Sequence, residues 1–285
     1  MSIDSLPTLH EVVKLHGLAA DKRLGQHFLL DMNITDKIAR LASPFEQATL
    51  VEIGPGPGGL TRSLFKAGAK NVIAIEMDER FVPALSDIGD ASNADLRIIR
   101  GDALKVDISK EAQGKIKIAA NLPYNVGTKM LTNWLTANPL FWSRAVLMFQ
   151  KEVAERVVAG VGDKAYGRLA ILSNSVCQTH LAFTVPAHAF SPPPKVDSAV
   201  VVLDVLESSY PHLIALGQLT AAAFGQRRKM LRKSLKSFAI KHGITIEAWC
   251  EACDVLPTKR PEELDIAAFQ SLTNYLIKYG AKHPQ

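Results

Sequence analysis

The chain has 285 residues, 47% of them apolar and 21% charged, with a formal net charge of +5. That apolar share supports a sizeable core and excludes global disorder, and the length suits one large domain or two unequal ones. No stretch approaches the ~20 continuous apolar residues of a membrane span, the opening MSIDSLPTLHEVVK has an early acid and no apolar signal region, and three cysteines (177, 250 and 253) make no disulfide framework. A reducing, cytoplasmic setting without a membrane partner is expected.

Short Val- and Ile-rich runs at 49–53, 71–76, 96–100, 115–120 and 144–149 read as strands. Helical periodicity falls among them, over Leu60–Ala67, Glu79–Ile88, Thr128–Leu135 and Lys151–Ala159. This alternation predicts an α/β fold with a parallel sheet covered on both faces. Two further strands, 178–185 and 198–206, flank a proline-rich loop with no helix between them, so the sheet is expected to finish antiparallel. From about residue 210 the pattern becomes helical, with later helices at 247–253 and 262–279. A boundary is expected at 206–210, separating a ligand-binding domain, 1–207, from a small all-helical domain, 208–285.

The charge is unevenly placed. Residues 1–205 carry +1 and residues 206–285 carry +4, while Phe224–His242 holds seven Lys/Arg and no acid. On a helix over Phe224–Ala239, at about 100° per residue, Phe224, Leu231, Leu235 and Phe238 fall on one stripe. Arg228, Lys229, Arg232, Lys233 and Lys236 fall on an adjacent arc, and Arg227 joins the basic set. Solvated helix faces ordinarily mix in acidic i,i+4 partners. Their absence points to a polyanion, held through phosphates rather than read base by base.

Val51-Glu52-Ile53-Gly54-Pro55-Gly56-Pro57-Gly58-Gly59 follows the first strand and opens a helix. Gly54, Gly56 and Gly59 fit G-x-G-x-x-G, a loop whose backbone can approach a ligand without a Cβ in the way. Twenty-two residues after Gly54, Glu76 ends the second strand and can accept hydrogen bonds from ribose hydroxyls. Dinucleotides and S-adenosylmethionine (AdoMet) both present such a ribose, and the loop barely separates them. Gly101-Asp102-Ala103 closes the third strand, placing an acid where an adenine amino group could bond.

Asn121-Leu122-Pro123-Tyr124 ends the fourth strand, at the carboxyl edge where open α/β sheets bind ligands. The exocyclic amine of adenine is a poor nucleophile because its lone pair is delocalised into the ring. The Asn121 side-chain oxygen and the Leu122 carbonyl can accept its two hydrogens and favour a pyramidal nitrogen aimed at a methyl sulfonium. Pro123 has no N–H to compete, and Tyr124 offers a face for a flipped base. Cys250-Glu251-Ala252-Cys253 is only half of a zinc ligand set, and no metal is expected.

Together these segments resemble the ribosomal RNA adenine dimethyltransferases that modify small-subunit rRNA. The likeness runs through Leu24-Gly25-Gln26-His27-Phe28-Leu29, the loop at 52–59, Glu76, Gly101–Ala103, Asn121–Tyr124, Gln150–Arg156, Tyr166-Gly167-Arg168 and Phe190–Ser198. It implies a Rossmann-like class I AdoMet-dependent sheet, S-adenosyl-L-homocysteine (AdoHcy) as product, and a helical domain that docks rRNA. It further implies dimethylation of two adjacent adenosines near the 3′ end of 16S rRNA, in an immature small subunit, by a monomer. In this family His27 and Leu29 would enclose AdoMet, Gly54 would contact its methionine part, Glu76 its ribose and Asp102 its adenine, with Gly56, Met77 and Ala103 completing the wall. Asn121 would touch cofactor and target amine, and Phe190 would sandwich the base against Tyr124. Many relatives carry Asn at the position of His27, and often Ile-Ser-Thr-Pro where this chain has Asn125-Val126-Gly127-Thr128-Lys129. A large-subunit rRNA adenine methyltransferase shares the core motifs and stays as the alternative within the enzyme class, with the 80-residue C-terminal segment favouring the small-subunit enzyme. A purely structural assembly factor would not need an intact site, and a nicotinamide dehydrogenase would not need Asn-Leu-Pro-Tyr.

Overall fold

A computed structural model describes residues 2–18, 20 and 26–280, so Leu24 and Gly25 of the first motif lie outside the described residues. The chain opens with α1 (Leu9–Leu15), β1 (Phe28–Leu29) and α2 (Met32–Ala42). Then follow β2 (Ala48–Ile53), α3 (Gly59–Lys66), β3 (Asn71–Glu76), α4 (Val82–Ala91), β4 (Asp95–Arg100) and the single turn α5 (Ile108–Glu111). Next come β5 (Lys115–Asn121), α6 (Gly127–Leu135), β6 (Arg144–Gln150), α7 (Lys151–Val158) and α8 (Arg168–Val176). β7 (Cys177–Val185), β8 (Phe190–Ser191) and β9 (Ser198–Val205) complete the strands. The last stretch holds α9 (Leu213–Phe224), α10 (Leu231–Ser234), α11 (Lys236–Lys241), α12 (Ile246–Ala252) and α13 (Ile266–Tyr279).

Seven strands form one sheet in the order β4-β3-β2-β5-β6-β9-β7. β4, β3, β2, β5 and β6 run parallel, and β9 lies antiparallel on β6. β2, β3, β5 and β6 are buried almost end to end, which is why they read as unbroken apolar runs. Successive strands run outward from β2 to β4, then resume on the other side at β5. The order therefore reverses between β2 and β5, the place where open α/β sheets form a ligand crevice. A second, two-residue ladder pairs β1 with β8, Phe28 opposite Ser191 and Leu29 opposite Phe190. These two strands are too short for periodicity to reveal.

The chain divides into two compact units. One comprises Met1–Leu131, Phe141–Ala154 and His180–Asp204; the other comprises Thr132–Leu140, Glu155–Thr179 and Val205–Gln285. The last crossing falls just before the expected 206–210 boundary. The second unit also takes in 132–140 and 155–179, because α8 packs with α9 and α13. Within it Trp249 is fully buried and its indole N–H donates to the Leu272 carbonyl at 2.9 Å.

One expected element is broken. The helix anticipated over Phe224–Ala239 ends at Phe224, and the chain turns through 225–230 before α10 and α11. The Leu231 and Arg232 N–H groups donate not to their own helix but to the carbonyls of Lys259 and Pro257, at 2.8 and 3.0 Å. The division into inside and outside survives the break. Leu231 and Leu235 are fully buried, while Arg228, Lys229, Arg232, Lys233 and Lys236 stay exposed.

Two cations close the carboxyl end of α2. Lys117, on β5 and only 4% exposed, donates its ammonium to the carbonyls of Ala42 and Pro44. Arg144, on β6, donates to the Ser43 carbonyl at 2.8 Å and pairs with Asp204 at 2.9 Å. Positive charge suits the helix carboxyl terminus, where carbonyls lack partners. Burial, then the nearby Arg144 and Lys115, lower the Lys117 pKa. Replacing Lys117 with Met keeps the stem but strips two carbonyls of their donor. The expected loss is about 1–3 kcal/mol, read as a lower urea midpoint at unchanged m-value. An unchanged midpoint would refute the clamp.

Candidate active site

β2 delivers the glycine loop to the crevice. Gly54, Gly56 and Gly58 all have positive φ, at 63°, 53° and 85°. Gly58, which caps the amino end of α3, is the most constrained, since a Cβ there would lie 2.2 Å from Ile88 Cδ1. Spacing drew attention to Gly59, yet it is Gly58 whose conformation L side chains rarely adopt.

Glu76, at the end of β3 and 6% exposed, ties the loop down. Its carboxylate accepts from the Gly56 N–H at 3.0 Å and from the Asp78 N–H at 2.9 Å. Burial raises its pKa against these hydrogen bonds. Two neighbouring acids diverge. Glu52, 1% exposed on β2, accepts from the Thr61 hydroxyl at 2.7 Å; burial, reinforced by the charge of Glu76, pushes its carboxyl up to about 8. Asp78 accepts from Arg80 Nε at 2.8 Å and Gln26 Nε2 at 3.0 Å, and Arg80 above all holds it down to about 2. Neither Glu52 nor Asp78 stood out in the sequence. Glu52 hides within an apolar strand, although the Asp78-Glu79-Arg80 spacing is a readable side-chain turn.

Asn121 ends β5 and donates its Nδ2 to the His27 carbonyl at 3.4 Å, which orients the amide and leaves Oδ1 to accept. Tyr124 is half-buried, with its hydroxyl 2.6 Å from that of Ser198 on β9; burial raises its pKa. The His27 ring stacks on it, with centroids 5.6 Å apart and planes 28° from parallel. His27 Nδ1 lies 2.8 Å from the Pro192 carbonyl.

These groups enclose a cavity of about 260 Å³. His27, Leu29, Gly54, Gly56, Glu76, Met77, Asp102, Ala103 and Asn121–Tyr124 all line it, so the expected cofactor residues and the Asn-Leu-Pro-Tyr segment share one cavity. Asp102 accepts from the Leu104 N–H at 2.9 Å, which turns the chain away from β4. Phe190 is placed differently. It is 4% exposed, packs into the apolar core beside β1 and does not line the cavity. Pairing with Leu29 through β8 draws its ring inward.

In the second unit, Arg228, Lys229, Arg232, Lys233 and Lys236 are exposed and, among the described residues, pair with no acid. Arg227 behaves otherwise: it pairs with Glu262 at 2.5 Å and donates to the Lys164 carbonyl at 2.9 Å. Among the described residues, no cluster of three or more His, Cys, Asp or Glu could hold a metal ion, and no helix is long and apolar enough to cross a membrane.

The sheet order, the glycine loop and the acid ending β3 define an α/β methyltransferase of the Rossmann-like type. The 23S rRNA methyltransferase ErmE shares this fold, with a TM-score of 0.65 at 22% identity over 88% of this chain and 99% of its own. The sequence matches ribosomal RNA adenine dimethylase over residues 17–278, and the chain belongs to that family. The ribosomal RNA small subunit methyltransferase A of Maricaulis maris is 53% identical over 276 residues, covering 95% of this chain and 96% of its own. A dimethyladenosine transferase from Plasmodium falciparum has a TM-score of 0.74 at 30% identity, covering 89% of this chain and 98% of that one.

The buried Glu52 has a measurable consequence. A group whose folded pKa exceeds its unfolded value contributes stability below the unfolded value, near 4.5, and loses it as pH rises through about 8. Glu52→Gln cannot ionise. The variant should therefore gain stability relative to the parent between pH 5 and pH 8, in urea denaturation at both values. A difference that is constant with pH would mean that Glu52 ionises normally.

Proposed function

We propose that this rRNA adenine dimethylase binds AdoMet in the cavity and acts on small-subunit rRNA. When bound, AdoMet supplies an electrophilic methyl group on a sulfonium centre. The observation that carries this reading is the convergence of Glu76 and Asn121–Tyr124 on one cavity beneath the glycine loop. The residues fit the cofactor. The Glu76 carboxylate has two N–H donors in place and retains lone pairs for ribose hydroxyls. At Gly54 a Cβ would meet nothing within 4 Å, so the backbone faces open space. Asp102 and Met77, which line the cavity, would hold the adenine, and Gly54 and Gly56 the methionine part.

For the target adenine, Asn121 Oδ1 and the Leu122 carbonyl accept the two amine hydrogens and turn the lone pair out of conjugation. Tyr124, anchored by Ser198, supplies a stacking face. Catalysis then rests on positioning rather than on a general base, because the amine proton becomes acidic only once nitrogen carries the methyl. The substrate we infer is a pair of adjacent adenosines near the 3′ end of 16S rRNA in an immature small subunit. The 53% identity to a small subunit methyltransferase across nearly the whole chain supports that choice over the large subunit. The exposed set Arg228, Lys229, Arg232, Lys233 and Lys236 suits rRNA phosphates, with Arg227 bracing the segment from behind.

Labelled methyl from AdoMet should enter unmethylated small subunits and not large subunits supplied in parallel. Asn121→Ala should lower that transfer by about a hundredfold or more while leaving subunit binding intact. Label confined to large-subunit RNA, or undiminished transfer by the variant, would overturn the assignment. Replacing Arg228, Arg232 and Lys233 together with Ala should weaken subunit binding and flatten its log–log salt slope by about 2–3. AdoHcy affinity should be unaltered; an unchanged slope would reject this surface.

A further inference from the structure

The His27 ring stacks on Tyr124, the residue proposed above to receive the target base. Both residues line the cavity, and their rings are stacked with centroids 5.6 Å apart. Tyr124 is held at its far end by Ser198, at 2.6 Å, so its ring stays fixed. His27 is tethered more lightly. Among the described residues its side chain has one hydrogen-bond partner, the Pro192 carbonyl at 2.8 Å. The backbone carbonyl of the same residue performs a separate task, accepting from Asn121 at 3.4 Å. The imidazole can therefore swing away without disturbing the Asn121 amide.

We propose that the His27 imidazole is a placeholder for the target base. It occupies the Tyr124 stacking face while no RNA is bound, and an extruded adenine takes that face by displacing it. The exchange replaces one heteroaromatic ring by another, so Tyr124 is never left with a bare apolar face in water. This rests on Tyr124 being the stacking face, but not on the nature of the cofactor. A ring that must be expelled before the base can enter makes the site favour ligands that stack strongly, which a merely wall-forming His27 would not do.

The test uses a short RNA carrying 2-aminopurine at the target position, whose fluorescence is quenched on stacking. It is titrated into the full chain and its variants with and without AdoHcy. His27→Ala removes both the competing stack and its tether and should bind the probe about tenfold more tightly, with quenching. His27→Asn keeps a donor for the Pro192 carbonyl but no ring, and should also bind more tightly than the parent; it decides the matter if His27→Ala does not fold. Tyr124→Ala should abolish the quenching. Equal or weaker probe binding by the folded His27 variants overturns the placeholder. Failure of the parent to bind AdoHcy would instead count against the cofactor reading, and the cofactor-free titration would still judge His27.

Discussion

The Glu76 carboxylate is the link on which the rest of the site depends. One oxygen holds the Gly56 N–H and so fixes the loop after β2; the other holds the Asp78 N–H and so fixes the turn after β3. Two strand ends that the sheet merely sets side by side are thereby given one shape. The neighbouring acids sort by their own surroundings, Arg80 beside Asp78 and burial around Glu52. Asp78 is met by Arg80 and Gln26 and stays ionised, whereas Glu52, buried and, among the described residues, bonded to Thr61 alone, is driven toward its neutral form. A single buried charge is tolerated where two would repel.

The β1–β8 ladder plays a matching part for the segment that carries His27. Its two residue pairs are a small structure, yet they set the segment carrying His27 beside the one carrying Pro192. The His27 carbonyl in turn orients the Asn121 amide. The orientation of the Asn121 amide thus depends on a contact nearly a hundred residues away in sequence.

Much of this was legible beforehand, for identifiable reasons. Strands buried on both faces announce themselves as apolar runs, and β3 begins and ends where its run does. Glycine spacing and the acid ending β3 marked the crevice because each is demanded by backbone geometry. What stayed hidden depends on long-range partners. Glu52 looks like an interruption in a strand until Thr61 is seen against it. Phe190, set beside the target base only by the family resemblance, packs in the core where β8 pairs with β1. The basic segment shows a regular helical period that the chain does not follow, since hydrogen bonds to Pro257 and Lys259 compete with the helix. Periodicity records which residues face inward; it does not record where backbone donors find their partners.

That clamp on Leu231 and Arg232 makes the basic segment a composite object. Its two short helices, of four and six residues, fall below the length at which a helix persists alone in water. Their geometry is borrowed from a loop some twenty-five residues downstream. A peptide spanning 224–242 would carry all seven positive charges and none of their arrangement. Charge density at this surface is a property of sequence, whereas the spacing that could match successive phosphates is a property of the folded unit.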